Sequence, residues 1–256
     1  MTSTAYRSAP NPVALVAPSA PGRPVTPVYG LDIETDTTVD GLDPRVARII
    51  AVAVAGPDGT RVFDDADEAL LLDRLDWHLA SLEPGVIATW NGASFDLPFL
   101  ADRARLAQVG LGLRLTLDPS IPGRRDPLPG HAGAYRGSWH GHAHLDAYQL
   151  VRADVVPALG VSGGLKAMAR LCGLDPVELR AAELHGSSAD QVSAYVASDA
   201  WCTRELVGRR WSTARFAIDH PPVSRAGPSI RRANPSIGPS PTVRPAAGAV
   251  RARRRS

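Results

Sequence analysis

The segment VYGLDIET, residues 28–35, constrains the fold more than any other part of the sequence. It predicts a buried β-strand, and side chains alternate between the two faces of a strand. Asp32 and Glu34 therefore lie on one face, opposite Leu31 and Ile33. Two carboxylates this close repel each other and resist burial unless a cation lies between them, and oxygen ligands suit Mg²⁺ or Mn²⁺. An isolated D-x-E more often lies on a solvated strand face. Other motifs in the chain are therefore needed to distinguish that interpretation from a cation-binding pair.

The hydrophobic pattern along the chain predicts a mixed α/β fold. Apolar segments joined by a Gly-Pro-Asp-Gly turn predict a three-stranded antiparallel meander, and the next strand is expected to run parallel to the first. Strands are predicted at residues 28–34, 45–55, 60–63, 86–90 and 142–145, and helices at 67–82, 94–109, 146–155, 165–171, 176–184 and 189–216.

The composition divides the chain into three parts. Residues 1–26 are rich in Ser, Ala and Pro and predict a disordered leader, whereas residues 27–218 carry the predicted domain. Within the domain, Pro, Gly, Arg and His replace the apolar pattern over residues 110–141, which predicts an inserted loop or hairpin beside the functional site. Residues 219–256 predict a disordered basic tail rich in Pro, Ser and Arg.

The net charge of +2 conceals an asymmetry. Residues 221–256 contain eight arginines and no acid, and residues 1–27 add two arginines, so residues 28–220 carry a net charge of −8. An acidic domain with a basic arm is typical of a protein with a polyanionic partner, which makes the tail a candidate nucleic-acid arm. A genome biased towards Arg, Ala and Pro explains the same composition equally well, since Lys166 is the only lysine.

Neither a membrane segment nor a disulfide framework is predicted. No apolar run approaches the roughly 20 residues that cross a bilayer. Cys172 and Cys202 are the only cysteines, and both lie in apolar, helical contexts that suit reduced core thiols. We therefore expect a cytoplasmic protein with no membrane partner.

Three further polar residues are placed where they could complete a site with Asp32 and Glu34. Asp96 opens a helix after the strand at 86–90, and neighbouring parallel strands bring their carboxyl ends to one edge, where open α/β sheets bind ligands. Asp199 follows Tyr195 by four residues on the last long helix, so the two side chains share a face. An acid on an apolar helix face is poorly solvated, which again favours a bound cation.

These segments resemble the three exonuclease motifs of the DEDD superfamily of 3′→5′ exonucleases. Residues 90–100 (WNGASFDLPFL) are most similar to the proofreading domains of family B DNA polymerases and their stand-alone relatives. Residues 144–146 and 165–167 resemble that family's middle region, and the resemblance covers about residues 27–210. A single D-x-E is weak evidence, but three motifs in order are specific. The motifs are Asp32-Ile33-Glu34, Asn91-x-x-x-Phe95-Asp96 and Tyr195-x-x-x-Asp199.

The resemblance implies a ribonuclease H-like fold, a mixed sheet flanked by helices, and exonuclease chemistry with two divalent cations, Mg²⁺ or Mn²⁺. Tyr195 would orient the attacking water, and Ala194 stands where the sister branch has a histidine, so the chain is of the tyrosine type. By the same resemblance Phe95 packs on the terminal nucleotide, Asn91 hydrogen-bonds near it, and Thr35 meets the 3′ end through its backbone. The implied metal ligands are Asp32, Glu34, Asp96 and Asp199.

Several of these residues also have a structural interpretation. Asn91 could cap the following turn, and Phe95 and Tyr195 could belong to the core. Asp146 could be a fifth acid of the site, although a structural role at a strand end is favoured. Residues 160–164 (GVSGG) lack the second half of a P-loop, so they predict only the start of a helix.

Four histidines offer an alternative metal site. His140, His142 and His144 alternate and would align on one face of a strand, with His131 nearby, as in some zinc sites. No acid of suitable spacing completes such a site, so solvated or phosphate-facing histidines are favoured.

We expect a stand-alone, metal-dependent 3′→5′ exonuclease that acts on single-stranded 3′ ends or frayed duplexes, with DNA favoured over RNA and a role in DNA repair. One alternative is a catalytically quiet nucleic-acid-binding module with the same fold, although binding alone needs no acid cluster. A second is a ribonuclease H-like endonuclease or Holliday-junction enzyme, in which the Y-x-x-x-D helix is not expected.

Overall fold

The structure is a computed structural model that describes residues 26–179 and 186–219. The predicted leader and tail lie outside the described residues, except for residues 26 and 219. Seven strands form a single mixed sheet. They are β1 (Val28–Thr35), β2 (Ile49–Gly56), β3 (Gly59–Phe63), β4 (Val86–Thr89), β5 (Leu113–Leu117), β6 (Tyr135–Trp139) and β7 (His142–Asp146).

The strand order is β3-β2-β1-β4-β7-β6-β5. The first three strands form the predicted antiparallel meander, and β4 lies parallel to β1, with Val28 opposite Val86. β7 continues the parallel part of the sheet, and β6 and β5 then reverse direction. This order confirms the predicted mixed sheet, and it brings the carboxyl ends of β1, β4 and β7 to one edge.

Residues 110–141, expected to form an inserted loop or hairpin, contribute two strands to the sheet. β5 and β6 pair antiparallel from Leu113 opposite Trp139 to Leu117 opposite Tyr135, and β6 in turn pairs with β7. The connection over residues 118–134 contains no strand. The segment therefore forms a hairpin with a long connection, and not a loop alone. The two strands are only five residues long and one contains a glycine, which weakens the period-two pattern in the sequence.

Within the described residues the helices are α1 (Glu68–Ser81), α2 (Asp96–Leu106), α3 (Ala147–Arg152), α4 (Val155–Leu159), α5 (Leu165–Leu171), α6 (Ala189–Arg209) and α7 (Trp211–Asp219). None of these seven is long and apolar enough to cross a membrane.

Three predicted helices differ from the observed ones. The helix predicted at 146–155 is divided into α3 and α4, because the side chain of Asp154 caps the start of α4. The helix predicted at 189–216 is interrupted at Arg210, which leaves the helical conformation (φ −115°). Of the helix predicted at 176–184, residues 176–179 are not helical and residues 180–184 lie outside the described residues.

α1 illustrates how the sequence builds the main hydrophobic core. Asp67 caps the helix, and its carboxylate accepts a hydrogen bond from the backbone N–H of Ala69 at 2.9 Å. Leucines at helical spacing are buried against Leu31 and Ile33 of β1 and Phe99 of α2. This layer lies on the face of β1 opposite its two acids. The leucines are Leu71, Leu72, Leu75 and Leu79.

α6 covers the other face of the meander, and it approaches β1 closely at Gly30. A Cβ atom at Gly30 would lie 1.9 Å from the carbonyl oxygen of Ala200, so no other residue fits there unless the helix moves. Asp32 and Glu34 share the Gly30 face of the strand. The close contact therefore holds α6 directly beside both acids.

Candidate active site

The carboxyl ends of β1 and β4 border an open cleft of about 420 Å³. Acidic side chains from three elements line it: Asp32 and Glu34 of β1, Asp96 at the start of α2, and Asp199 of α6. The first three are brought together by the parallel pairing of β1 with β4, and the fourth by the contact at Gly30. The structure thus gathers the four predicted metal ligands in one cleft. Their role as ligands stays a prediction.

The four carboxyl groups carry more negative charge than their surroundings can solvate. Burial is the main cause that raises the pKa of Glu34, to about 8, and of Asp96, to about 7. Burial and then repulsion from Asp96 and Asp199 raise the pKa of Asp32 well above its ordinary value. Burial also raises the pKa of Asp199. Such a cluster is stabilised by a cation.

Lys166, the second residue of α5, supplies a cation to this cluster. Its ammonium group forms an ion pair with Asp199 and lies 4.1 Å from the centre of the Tyr195 ring. Its charge also lowers the pKa of Asp32 and of Glu34, against the larger effect of burial. This role was not predicted from the sequence. The available signal was a single lysine in a chain that otherwise uses arginine.

Replacing Lys166 with alanine is expected to destabilise the metal-free domain at pH 8 by roughly 3 kcal/mol, the usual effect of removing one partner from a buried ion pair. Lys166→Arg, which keeps the charge, is the matched control and should lose much less. Urea unfolding of the three proteins measures the effect. Equal stability of the alanine and arginine variants would show that the charge of Lys166 does not hold the acids together.

Tyr195 lies one turn before Asp199 on α6 and is partly buried. Burial, followed by the negative charges of Asp199 and Glu34, raises the pKa of its phenol above the ordinary value of 10. The phenol therefore stays protonated at neutral pH and can donate a hydrogen bond towards the carboxylates. This state suits the predicted role of orienting a water molecule.

The three residues predicted to contact substrate are placed differently. Asn91 and Phe95 line the cleft, whereas Thr35 does not, and its hydroxyl donates a hydrogen bond to the carbonyl of Gly41 at 2.8 Å. Phe95 packs both on the core residue Phe99 and beside the cleft, so its structural and substrate-contacting interpretations are compatible. Asn91 has a left-handed backbone (φ 67°). Only the backbone of Thr35 is left for the predicted contact.

Asp146 ends β7 and has a structural role. Its carboxylate accepts hydrogen bonds from the backbone N–H groups of Asn91 and Tyr148 at 2.9 and 3.1 Å, and from that of Ala93 at 3.3 Å. Burial raises its pKa to about 6, and these hydrogen bonds oppose the rise. The carboxylate thereby fixes the turn that carries Asn91 into the cleft, and it does not line the cleft itself.

The four histidines do not converge on a metal site. His142 is fully buried, and burial lowers the pKa of His144 to about 3. The expectation of solvated or phosphate-facing side chains is therefore wrong for these two. Each ring has its own partner: His131 with Asp102 and Tyr135, His140 with Asp76, His142 with Gly85 and Leu79, and His144 with Thr89. Cys172 and Cys202 are free thiols, as predicted.

Arg124 is a second cleft residue that was not predicted from the sequence. It belongs to the connection between β5 and β6, and its guanidinium carbon lies 5.3 Å from the centre of the Phe95 ring. Its charge lowers the pKa of Asp96, although burial dominates that pKa. Trp90 and Leu42 complete the apolar part of the lining. Residues in an irregular loop follow no periodic pattern, so the sequence could not indicate that Arg124 lines the cleft.

The donors in the cleft fit a hard divalent cation by their chemistry. All four are buried or partly buried carboxylates, and oxygen donors are what Mg²⁺ and Mn²⁺ prefer. Among residues 26–179 and 186–219, however, no three His, Cys, Asp or Glu side chains are grouped as closely as chelation requires. The residues that would hold such an ion are Asp32, Glu34, Asp96 and Asp199, and in this structure Asp199 is paired with Lys166.

The mixed sheet, with a carboxylate-lined cleft at the end of its first strand, is a ribonuclease H-like fold. Residues 46–168 match the sequence model of the exonuclease domain of DNA polymerase family B. This match supports the resemblance described above, to the proofreading-type 3′→5′ exonuclease domains of that family. The matched residues include Asn91, Phe95, Asp96 and Lys166. The candidate residues of β1 and α6 lie outside them: Asp32, Glu34, Thr35, Tyr195 and Asp199.

Similar proteins include the catalytic subunits of DNA polymerase epsilon from three eukaryotes. The chain is 33% identical over 119 residues to that of Eremothecium gossypii and 35% identical over 119 residues to that of Schizosaccharomyces pombe, in each case 46% of this chain and 5% of the relative. Identity to the Arabidopsis thaliana protein is 29% over 150 residues, 57% of this chain and 6% of that protein. The chain thus spans only a small part of these relatives.

Among solved structures, the family B DNA polymerase of the hyperthermophilic archaeon Pyrobaculum calidifontis is similar, with a TM-score of 0.58 and 23% identity. The similarity covers 73% of this chain and 25% of the polymerase chain. At this identity the similarity establishes the fold.

Proposed function

We propose that this chain is a metal-dependent 3′→5′ exonuclease that removes nucleotides from single-stranded or frayed 3′ ends. The observation that carries the proposal is the convergence of Asp32, Glu34, Asp96 and Asp199 on one open cleft, with their pKa values raised by burial. A module that only bound nucleic acid would gain nothing from four repelling acids that face an anionic polymer. The relatives are DNA polymerases, which favours DNA as the substrate.

Divalent metal ions are used by the exonuclease domains of this family. We propose that two are held by the four carboxylates. When bound, such ions activate a water molecule and stabilise charge on the leaving 3′-oxygen. Each ligand must be ionised to hold them, so ions and protons compete for the same oxygens.

The remaining cleft residues have roles that follow from their positions. Tyr195 keeps its phenolic proton and would hold the attacking water by a hydrogen bond. The ring of Phe95 lines the cleft and would contact the terminal nucleotide. Lys166 neutralises part of the acid cluster before substrate arrives and would release Asp199 when metal binds.

Digestion of end-labelled oligonucleotides tests the proposal. With Mg²⁺ or Mn²⁺, 5′-labelled single-stranded DNA should shorten stepwise, and 3′-labelled DNA should release labelled mononucleotide from the first time point. RNA of the same sequence reports the choice of sugar, and Asp96→Asn, purified in parallel, controls for contaminating nucleases. Internal cuts would indicate an endonuclease, and binding without cleavage would indicate the quiet binding module.

A further inference from the structure

β5 is the last strand at one end of the sheet, and no segment of the described residues pairs with its outer edge. Residues of an antiparallel strand alternate between facing their neighbour and facing away. Just beyond the paired residues of β5 and β6, Asp118 donates its backbone N–H to the carbonyl of Ala134 at 2.9 Å. The N–H of Tyr135 on β6 points away from β5, to the carbonyl of Ala93 at 2.7 Å. Every second residue of β5 therefore directs its N–H and C=O to the open edge: Leu113, Leu115 and Leu117.

The side chains of these leucines lie on the face of the sheet that α2 covers. Leu115 is opposite Gly137, and a Cβ atom at Gly137 would lie 2.6 Å from Leu97 of α2. The other two residues of β5, Arg114 and Thr116, are exposed on the opposite face. Proteins usually protect an edge strand with a proline, a bulge or a charge on the core side. β5 has none of these, so its edge is suited to accept another strand.

The β5 strand of a second copy fits this edge. When two such strands pair antiparallel about a two-fold axis at Leu115, Leu113 of each copy faces Leu117 of the other. Every outward N–H and C=O then has a partner. Arg114 faces Thr116 of the other copy, so no like charges are opposed. Directly opposite residues share a face of the sheet. The partly buried leucines of both copies would therefore join in one apolar layer.

β3, the strand at the other end of the sheet, does not suit such pairing. A two-residue turn joins Gly56 to Gly59, and the residues on either side of such a turn are hydrogen-bonded to each other. By alternation, Thr60 and Val62 face outward. Pairing both with a second copy places Arg61 opposite its own counterpart, and like charges directly opposite each other are destabilising. Of the two edges, only that of β5 is self-complementary.

We propose that β5 is a dimerisation edge, on which the β5 strand of a second copy of this chain pairs antiparallel about Leu115. The inference does not depend on the proposed exonuclease function. β5 runs parallel to β1, so the two β1 strands of the dimer are antiparallel, and the two acidic clefts open at opposite edges of the joined sheet. Each copy keeps a complete cleft. Pairing of a five-residue strand buries little surface, so we expect association in the micromolar range.

Analytical ultracentrifugation of the full chain across the micromolar range tests the proposal. The mass should rise with concentration from the 27.1 kDa of one chain towards twice that value. Leu115→Pro removes an outward N–H and leaves the hydrogen bonds to β6 in place, so this variant should remain monomeric. Thr60→Pro makes the same change at an outward residue of β3 and is the matched control. It should dimerise like the wild type, and thermal unfolding reports whether each variant is folded.

A pair of charge variants tests the two-fold axis itself. Leu115→Lys and Leu115→Glu each place like charges opposite each other, so either protein alone should be monomeric. An equimolar mixture should dimerise, because lysine then faces glutamate. A wild-type chain that stays monomeric at every concentration would overturn the proposal. So would a folded Leu115→Pro variant that dimerises, or a mixture of the two charge variants that does not associate.

Discussion

Replacing Asp199 with asparagine is expected to reduce nucleotide release by about a hundredfold to a thousandfold, the scale of losing one precisely positioned charge-stabilising group from an active site. The domain should stay folded and should be at least as stable at pH 8. The substitution removes one of four repelling carboxylates, and Lys166 remains close enough to Asp32 and Glu34 to stay neutralised. Exonuclease assays and thermal unfolding of the same preparation measure both effects.

Asp146→Asn is the matched control for that experiment, because Asp146 is a buried aspartate, as Asp199 is, but does not line the cleft. It should behave in the opposite way: stability should fall, because its carboxylate holds the turn that carries Asn91. Any activity that is lost should return in proportion to the folded fraction at lower temperature. An Asp199→Asn protein with full activity would remove Asp199 from the active site.

The metal-free domain is expected to lose stability as the pH rises from about 6.5 to about 8. In the folded protein burial raises the pKa of Glu34 to about 8 and of Asp96 to about 7, whereas their ordinary values are 4.5 and 3.8. In this window the unfolded chain has released protons that the folded chain still holds, so rising pH favours unfolding. Below pH 6.5 His144 acts in the opposite direction, because its pKa is lowered in the folded state.

Mg²⁺ or Mn²⁺ should reverse this loss at pH 8, since an ion that binds only the folded state at 100 times its Kd adds about 2.7 kcal/mol. Thermal unfolding across pH, with and without ions, measures both parts. The Glu34→Gln/Asp96→Asn variant should show a flatter pH profile and a smaller response to ions. A melting temperature that neither pH nor divalent ions change would contradict the charge balance proposed for the cleft.

The sequence was sufficient to predict the parts of the site that lie on regular elements. β1 carries Asp32 and Glu34 on one face by strand alternation, and α6 carries Tyr195 and Asp199 one turn apart. The parallel pairing of β1 with β4, which brings Asp96 to the same edge, follows from the strand-helix-strand order. These relations are local or are fixed by topology, so residue spacing reports them.

Lys166 and Arg124 could not be predicted in this way. Lys166 reaches Asp199, 33 residues later in the chain, because α5 packs against α6. Arg124 reaches Phe95 from an irregular connection between two short strands. Such contacts depend on packing between distant segments, which leaves no periodic pattern. The same applies to the buried histidines, whose partners lie on other elements and cannot be read from their own spacing.

The contact at Gly30 has a consequence for the ion that the site could accept. Because α6 rests directly on this residue, the absence of a side chain there sets how far Asp199 stands from β1. Any larger residue would lift the helix and widen the opening between its acid and those of the strand. Small ions such as Mg²⁺ demand closer ligands than larger ones such as Ca²⁺. Gly30 would thus determine which ionic radius the site accepts, although this residue does not itself contact the ion.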